Sequence, residues 1–326
     1  MPAQCSSSGM STTTQRCLST VPPAARHQLV FSPWYSFNLP PSAAVLFALQ
    51  ASALSSPKQV FARVIMTNTK AHTQSTWELD ITLAKAAGID AFALNMGYTD
   101  PYVPTQLAHA FAAAEALGSA FKLFLTFDYT EGGKVWPSSG NISVISYLQQ
   151  YGNSSAYYMY EDMPFVSAME GLAEAFDYGQ EEVIPNTIGP IYFAADWTSE
   201  GMESVFEDGP GLREGLNAFF SWDMWPFGAV NMTDAVDKAW ISAISGNAAY
   251  MMGVSPWFFH SASGSKDWVW RGDDLWASRW AQTLDIKPNL VEIVSWNDYG
   301  VSNYIGPIHS NSEVPAGALI YVEDNP

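Results

Sequence analysis

The sequence is short of cysteine and of positive charge. Its 326 residues contain two cysteines, Cys5 and Cys17, so the chain beyond residue 17 cannot form an internal disulfide bond. Only 14 Lys and Arg residues stand against 32 Asp and Glu residues, which gives a formal net charge of −18. This balance repels phosphate backbones and anionic lipid headgroups, so we expect neither nucleic acid nor a membrane as partner.

Motifs for metal and phosphate binding are missing as well. The 5 histidines have no paired spacing, and the body of the chain has no cysteine, so the sequence predicts no metal site. No glycine-rich segment opens a helix after a strand, and no serine has the context of a nucleophile elbow. We therefore expect a protein that acts without a metal or cofactor.

Aromatic residues are abundant by contrast. The sequence has 13 Trp, 15 Tyr and 18 Phe, and 48% of its residues are hydrophobic. A chain of this length and composition can bury a core large enough for one big domain. Aromatic faces also stack on sugar rings, and a neutral polysaccharide carries no charge penalty against an acidic surface.

The first 56 residues differ from the rest. They are rich in Ser, Thr, Pro and Ala without a regular period, so we predict an unstructured segment at 1–56 and a folded domain at 57–326. The hydrophobic run 43–49, followed by the small residues 51–53, is typical of a secretory signal and too short to span a bilayer. An extracellular or cell-wall location is the expectation, and a wrongly assigned start of the sequence is the alternative.

From residue 58 onward, strand-like and helical patterns alternate every 25 to 45 residues or so, which predicts βα units around a parallel sheet. Eight strands are expected, and the fifth and sixth lead into an Asp-Trp and a Trp-Asp pair. Their ranges are 59–66, 91–96, 121–128, 164–171, 188–193, 215–220, 249–255 and 290–296. This count predicts a (β/α)₈ TIM barrel.

Polar and aromatic side chains recur just past the ends of these strands. Barrel enzymes place their active sites at that face, so the group is more informative than any single loop residue. The set comprises Asn95, Asp128, Glu170, Asp196, Trp222, Asp223, Trp257, Asn297 and Asp298, with Trp225, Trp296 and Tyr299 close by. Paired carboxyl groups with flanking tryptophans are typical of glycoside hydrolysis, in which one acid protonates the leaving oxygen and a second carboxylate activates water or attacks the sugar.

Residues 296–307 read WNDYGVSNYIGP, and this stretch resembles the W-N-D-Y-G-E-S-x-Y-I-G-P signature of the fungal α-1,3-glucanases, the mutanases of glycoside hydrolase family 71. The resemblance extends over about residues 58–320. It includes the segments 85–95, 127–129, 164–167, 170–171, 221–226, 254–258 and 268–276.

The resemblance implies a barrel that cleaves internal links of cell-wall α-1,3-glucan with inversion, using the Asp and Glu of the signature. Asp298 matches the Asp, but Val301 occupies the Glu position and cannot transfer a proton. We expect Glu170 to be the second catalytic carboxyl, with Asp223, Asp196 and Asp128 as alternatives, while Glu292 lies within a strand. The family also continues into a final helix, which this barrel is expected to lack.

Three functions remain open at this point. The first is α-1,3-glucan hydrolysis, weakened or intact. The second is a glucan-binding protein without catalysis, which keeps stacking platforms at Trp222, Trp225 and Trp257. The third is an unrelated enzyme that shares only the barrel fold.

Overall fold

The computed structural model describes residues 58–130, 134–179, 182–206, 215–244, 248–260, 268–269, 271–301, 303–315 and 318–319. The N-terminal segment and its signal-like run lie outside these residues. Among the described helices, none is both long and apolar enough to cross a membrane.

Eight parallel strands close into a barrel, which confirms the predicted (β/α)₈ TIM barrel. We number them β1 to β8 in chain order. They are Gln59–Ile65, Ala91–Gly97, Lys122–Asp128, Met163–Met169, Tyr192–Asp196, Ala218–Ser221, Ala249–Val254 and Leu290–Ile293. Each strand pairs with the next, and β8 pairs with β1 from Leu290 opposite Gln59 to Ile293 opposite Ala62. Two-residue antiparallel strands at Met159–Tyr160, Phe259–His260 and Trp268–Val269 lie outside the barrel.

In the part of the chain that the structure describes, seven helices, α1 to α7, occupy the crossovers. They are Gln74–Ala86, Val103–Ala116, Val144–Tyr151, Val183–Ile188, Gly201–Phe206, Ala235–Ile244 and Leu275–Ile286. Short 3₁₀ helices lie at Met66–Thr69, Leu172–Tyr178, Thr198–Glu200 and Asn311–Glu313. Helices α1 and α3 begin with capping boxes, in which Thr73 and Ser143 bind the backbone three residues ahead.

The strand bounds differ from the expectation by three residues or more in three strands, and by one or two residues in the others. The predicted fifth strand began at residue 188, but that residue ends α4, and β5 begins at Tyr192. The predicted sixth strand began at residue 215, whereas β6 begins at Ala218. Strand β8 ends at Ile293 rather than at residue 296, because the backbone of Ser295 bonds to Asn303 in its own loop. In the described residues after β8, the 3₁₀ helix Asn311–Glu313 is the helical element.

Aromatic rings fill the lower barrel interior, toward the N-terminal ends of the strands. Phe61 packs against Phe124 with ring centroids 5.0 Å apart, and Phe124 against Phe165 at 4.8 Å. Above this apolar layer the interior becomes polar at Arg63, Thr126, Ser167 and Glu292, all fully buried. The polar layer forms the floor beneath the strand-end residues.

Candidate active site

The segment after β8 places Asp298 at the mouth of the barrel. Its backbone N–H donates to Ser295 Oγ at 2.7 Å, which fixes the turn out of the strand. Burial raises the pKa of the Asp298 carboxyl to about 6, although hydrogen bonds from the backbone N–H groups of Val301 and Gly300 and the charge of Arg63 act against that rise. A carboxyl with this pKa can exchange a proton near neutral pH.

The signature residues beside Asp298 hold the loop in place. The Asn297 side chain accepts from Ile65 N at 2.7 Å and donates to Ile65 O at 3.1 Å, so it joins the ends of β1 and β8. Trp296 is buried against Phe92 with ring centroids 5.1 Å apart. The buried Tyr299 donates its hydroxyl to Pro307 O at 2.8 Å. These three predicted binding residues use their side chains within the protein.

Val301 contributes backbone rather than side-chain chemistry. Its N–H supports the Asp298 carboxylate, and its carbonyl accepts from Phe259 N at 3.3 Å. The loop therefore keeps Asp298 positioned even though the residue at the Glu position has no ionisable group.

Glu170 follows β4 in a left-handed conformation, with φ of 57°. A non-glycine residue in this region is strained, and such strain concentrates at functional sites. Gly171 also has positive φ, and a Cβ there would stand 2.6 Å from Cγ of the Tyr129 ring, so only glycine fits. The Glu170 carboxylate accepts from Ser199 Oγ at 2.7 Å.

Asp196, at the end of β5, is the immediate neighbour of Glu170. The Glu170 N–H donates to the Asp196 carbonyl at 2.7 Å. Thr198 donates to Asp196 Oδ1 from its hydroxyl at 2.7 Å and from its N–H at 3.1 Å, whereas Oδ2 has no hydrogen-bond partner among the described residues. Burial, aided by the charge of Glu170, raises the pKa of Asp196 to about 7.

Arg63 lies beneath these carboxyls and is not among the site residues predicted from the sequence. Its Nε donates to Glu292 Oε1 at 2.6 Å, and Nη1 donates to Asn95 Oδ1 at 3.2 Å. The guanidinium also stands 4.8 Å from the Trp222 ring centroid. Its charge lowers the pKa of both Asp196 and Asp298, which opposes the effect of burial on each. An isolated arginine within a strand-like run carries no sequence signal for this role.

Asn95 and Asp128 extend the polar layer toward β2 and β3. Asn95 Nδ2 donates to Asp128 Oδ2 at 2.9 Å, and Asp128 Oδ1 accepts from the Thr130 hydroxyl at 2.7 Å. Both side chains are buried. They therefore join the same network as Arg63 and Glu292 at the floor.

Tryptophans form the wall above β6 and β7. Trp222 and Trp225 pack edge to face with centroids 5.8 Å apart, and Trp225 Nε1 donates to Trp257 O at 3.0 Å. Trp257 is 41% exposed and is the most accessible of the three predicted platforms. Asp223 instead accepts from Trp240 Nε1 at 2.8 Å, which directs its carboxylate toward α6.

An open groove continues from this wall. It has a volume of about 780 Å³ and is lined by Ala229, Trp257, Phe258, Phe259, Arg271, Gly272 and Asp273. Mixed aromatic and polar linings of this kind suit sugar rings, which present apolar faces and hydroxyl edges. The mouth therefore combines ionisable carboxyls with an adjoining aromatic surface, an arrangement capable of acid–base chemistry on a bound sugar.

Residues 56–326 match the model of the family described as glycosyl hydrolase family 71. The chain is 33% identical over 289 residues to a glucan endo-1,3-alpha-glucosidase of Schizosaccharomyces pombe, covering 86% of this chain and 65% of that protein. It is 34% identical over 275 residues to a mutanase of Penicillium rubens, covering 82% and 58% respectively. The chain thus spans about three fifths of the length of these relatives.

A solved endo-alpha-mannosidase of family GH99 from Bacteroides thetaiotaomicron has a similar fold. The TM-score is 0.59 at 12% sequence identity, and the match covers 81% of this chain and 94% of that chain. At this identity the likeness concerns the barrel fold alone.

Proposed function

Because the chain belongs to glycosyl hydrolase family 71, we propose that it hydrolyses internal α-1,3-glucosidic links of fungal cell-wall glucan, outside the cell or in the wall. The observation that carries the proposal is the group of carboxyls at the barrel mouth. Asp298 retains the signature position and a pKa raised to about 6, and the Glu170–Asp196 pair stands at the ends of β4 and β5. The names of the relatives support the choice of substrate.

In this mechanism Asp298 is the general base that activates water. Its pKa of about 6 leaves it ionised at neutral pH. The Glu170–Asp196 pair supplies the proton to the leaving oxygen from Asp196, because burial and the charge of Glu170 raise the pKa of that carboxyl. Asp196, with a pKa of about 7, retains that proton to higher pH than an ordinary carboxyl. The pair replaces part of the function of the acid that Val301 cannot provide.

Substrate binding is assigned to the aromatic wall. We propose that the sugar rings stack on Trp257 and Trp225 and continue into the adjoining groove. Trp222 contributes to this wall and also shields the Arg63 guanidinium from water. Asn95 and Asp128 set the charge and hydrogen bonding of the floor.

A glucan-binding protein without catalysis is the second candidate, and Val301 favours it. Loss of one acid or base lowers the rate by roughly 10²- to 10⁴-fold. The aromatic wall and the groove do not depend on that residue. The two candidates therefore share the same binding surface and differ only in turnover.

The test measures reducing ends released from insoluble α-1,3-glucan, together with protein pelleted by the same polymer. We expect the wild type to bind and to release sugar, and Asp298→Asn to bind with at least 10²-fold less release. Asp234→Asn, which removes the partly exposed partner of Lys238, is the matched control. Binding without release would support the non-catalytic candidate, and neither binding nor release would reject both.

A further inference from the structure

A second cluster of ionisable side chains lies outside the barrel mouth. His72 follows the 3₁₀ helix after β1, Asp80 is on α1, and His309 and Glu313 belong to the segment after β8. Asp80 is 1% exposed and His72 is 3% exposed, and Glu313 is also buried. Four such groups in one buried volume are uncommon without a shared ligand or a complete hydrogen-bond network.

The distances bring three nitrogen and oxygen donors together. His309 Nε2 is 2.8 Å from Asp80 Oδ1, and His72 Nδ1 is 3.9 Å from Asp80 Oδ2. One ligand atom from each of these three residues lies within 4.8 Å of the others. In a tetrahedral zinc site, bond lengths near 2.1 Å imply ligand atoms roughly 3.4 Å apart. The observed spacings lie on either side of that value.

The hydrogen bond between His309 Nε2 and Asp80 Oδ1 does not satisfy every buried ring nitrogen of this cluster. Among the described residues, His72 Nδ1 has no hydrogen-bond partner. His72 Nε2 is 3.3 Å from Glu313 Oε1, close enough for an ion pair. With Nε2 facing Glu313, Nδ1 is the nitrogen left without a partner, and a buried ring nitrogen in that state is costly unless it binds something else.

We propose that His72, Asp80 and His309 bind a divalent transition metal, with zinc as the best fit. Two imidazoles and one carboxylate are typical ligands of zinc, and a solvent molecule can complete the tetrahedron beside the partly exposed His309. Glu313 orients His72 by accepting its Nε2–H, as carboxylates do behind metal-bound histidines. Two carboxylates then balance the two positive charges of the metal.

A metal ion at this position would offset the cost of burying the Asp80 carboxylate. Because His309 and Glu313 follow β8 while Asp80 lies on α1, the metal would tie the segment after the catalytic loop to the first helix.

The experiment loads the purified protein with Zn²⁺, removes free metal by desalting, and measures bound zinc by elemental analysis and affinity by calorimetry. We expect one equivalent per chain, and a melting temperature that falls when a chelator removes it. Replacement by Co²⁺ should give the visible absorption bands of a tetrahedral site. None of these readouts depends on glucan hydrolysis.

Substitutions distinguish the residues that bind the metal from residues that only lie nearby. His309→Gln and Asp80→Asn should each reduce zinc affinity at least 10-fold while circular dichroism shows a folded protein. Glu313→Gln should reduce it about 10-fold through loss of the orienting bond. His109→Gln is the matched control, because His109 Nδ1 lies 3.2 Å from the His72 carbonyl and coordinates nothing in this site. The proposal is overturned if the wild type retains no zinc, or if folded His309→Gln retains as much as the wild type.

Discussion

Among the described residues, two buried arginines pair with buried carboxylates, and their hydrogen bonding differs. Arg279 on α7 binds both oxygens of Asp237 on α6, at 2.8 and 3.0 Å, and donates to Gly253 O at 2.8 Å. Asp237 also accepts from the Tyr250 hydroxyl at 2.9 Å. Arg63 in the barrel holds Glu292 through one bond, and Arg63 Nη2 and Glu292 Oε2 have no partner among the described residues.

This difference in hydrogen bonding indicates that the Arg279–Asp237 pair stabilises the fold, whereas the Arg63–Glu292 pair serves the active site. A two-pronged arginine with a satisfied carboxylate fixes α6, α7 and β7 to one another. Arg63 keeps unused hydrogen-bonding capacity directly below the carboxyls whose pKa values are raised. Functional sites retain such unsatisfied polar groups because a substrate or proton completes them.

The largest effect is expected at the two-pronged pair, where both carboxylate oxygens are bonded although Arg279 Nε has no partner among the described residues. Asp237→Asn leaves Arg279 buried with an uncompensated charge, and breaking a buried pair in this way costs about 3 to 5 kcal/mol of unfolding free energy. Urea denaturation measures the loss, and Asp234→Asn, at the exposed pair with Lys238, should leave the curve unchanged. The structural role of the Arg279–Asp237 pair is contradicted if the Asp237→Asn protein is as stable as the wild type but hydrolyses glucan more slowly.

Val301→Glu should act on chemistry and leave stability nearly unchanged. A carboxyl restored next to Asp298 is expected to raise glucan hydrolysis about 10²-fold or more, since a positioned acid or base contributes that much. Val301→Gln has the same size without the acid and should give no gain. Adding Asp298→Asn to the Val301→Glu protein should abolish the gain in hydrolysis. A wild type already as fast as Val301→Glu would mean that the Glu170–Asp196 pair fully replaces the missing acid.

A smaller effect is expected at the aromatic wall. Trp257→Ala removes the most accessible platform and should weaken α-1,3-glucan binding by about 1 kcal/mol, or roughly 5-fold, in pelleting assays. Leu284→Ala is the control, because Leu284 is exposed near the end of α7 that leads to the opposite face of the barrel. Equal glucan binding by the Trp257→Ala and Leu284→Ala proteins would show that Trp257 is not part of the glucan-binding surface.

The barrel and its mouth could be predicted from the sequence because they follow local patterns. Hydrophobic strands repeat with the βα period, and polar residues fall at the same point after each strand. Asp298, Glu170 and Asp196 could therefore be predicted as site residues from the sequence, without knowledge of the fold. The roles of Asn297 and Tyr299 could not be predicted in this way. Their polar side chains resemble substrate ligands in sequence, but they bind backbone groups of the protein.

The pairs between residues far apart in the sequence could not be predicted, for a different reason. Arg63 and Glu292 are 229 positions apart, and so are Asp80 and His309, and only closure of the barrel brings each pair together. The prediction of no metal site depended on the absence of paired histidine spacing. That spacing is informative only when the ligands share one element, whereas the proposed site draws them from three separate parts of the chain.

The pH dependence of α-1,3-glucan hydrolysis tests most directly whether the carboxyls at the mouth carry the reaction. Asp298, with a pKa of about 6, must lose its proton to act as a base, so the rate should rise through pH 6. Asp196, with a pKa of about 7, must keep its proton for the pair to act as an acid, so the rate should fall above pH 7. We predict a bell-shaped profile with its optimum between these values, and loss of the falling limb in Asp196→Asn. A profile that is flat from pH 5 to 8, or a falling limb that Asp196→Asn leaves unchanged, would contradict the account.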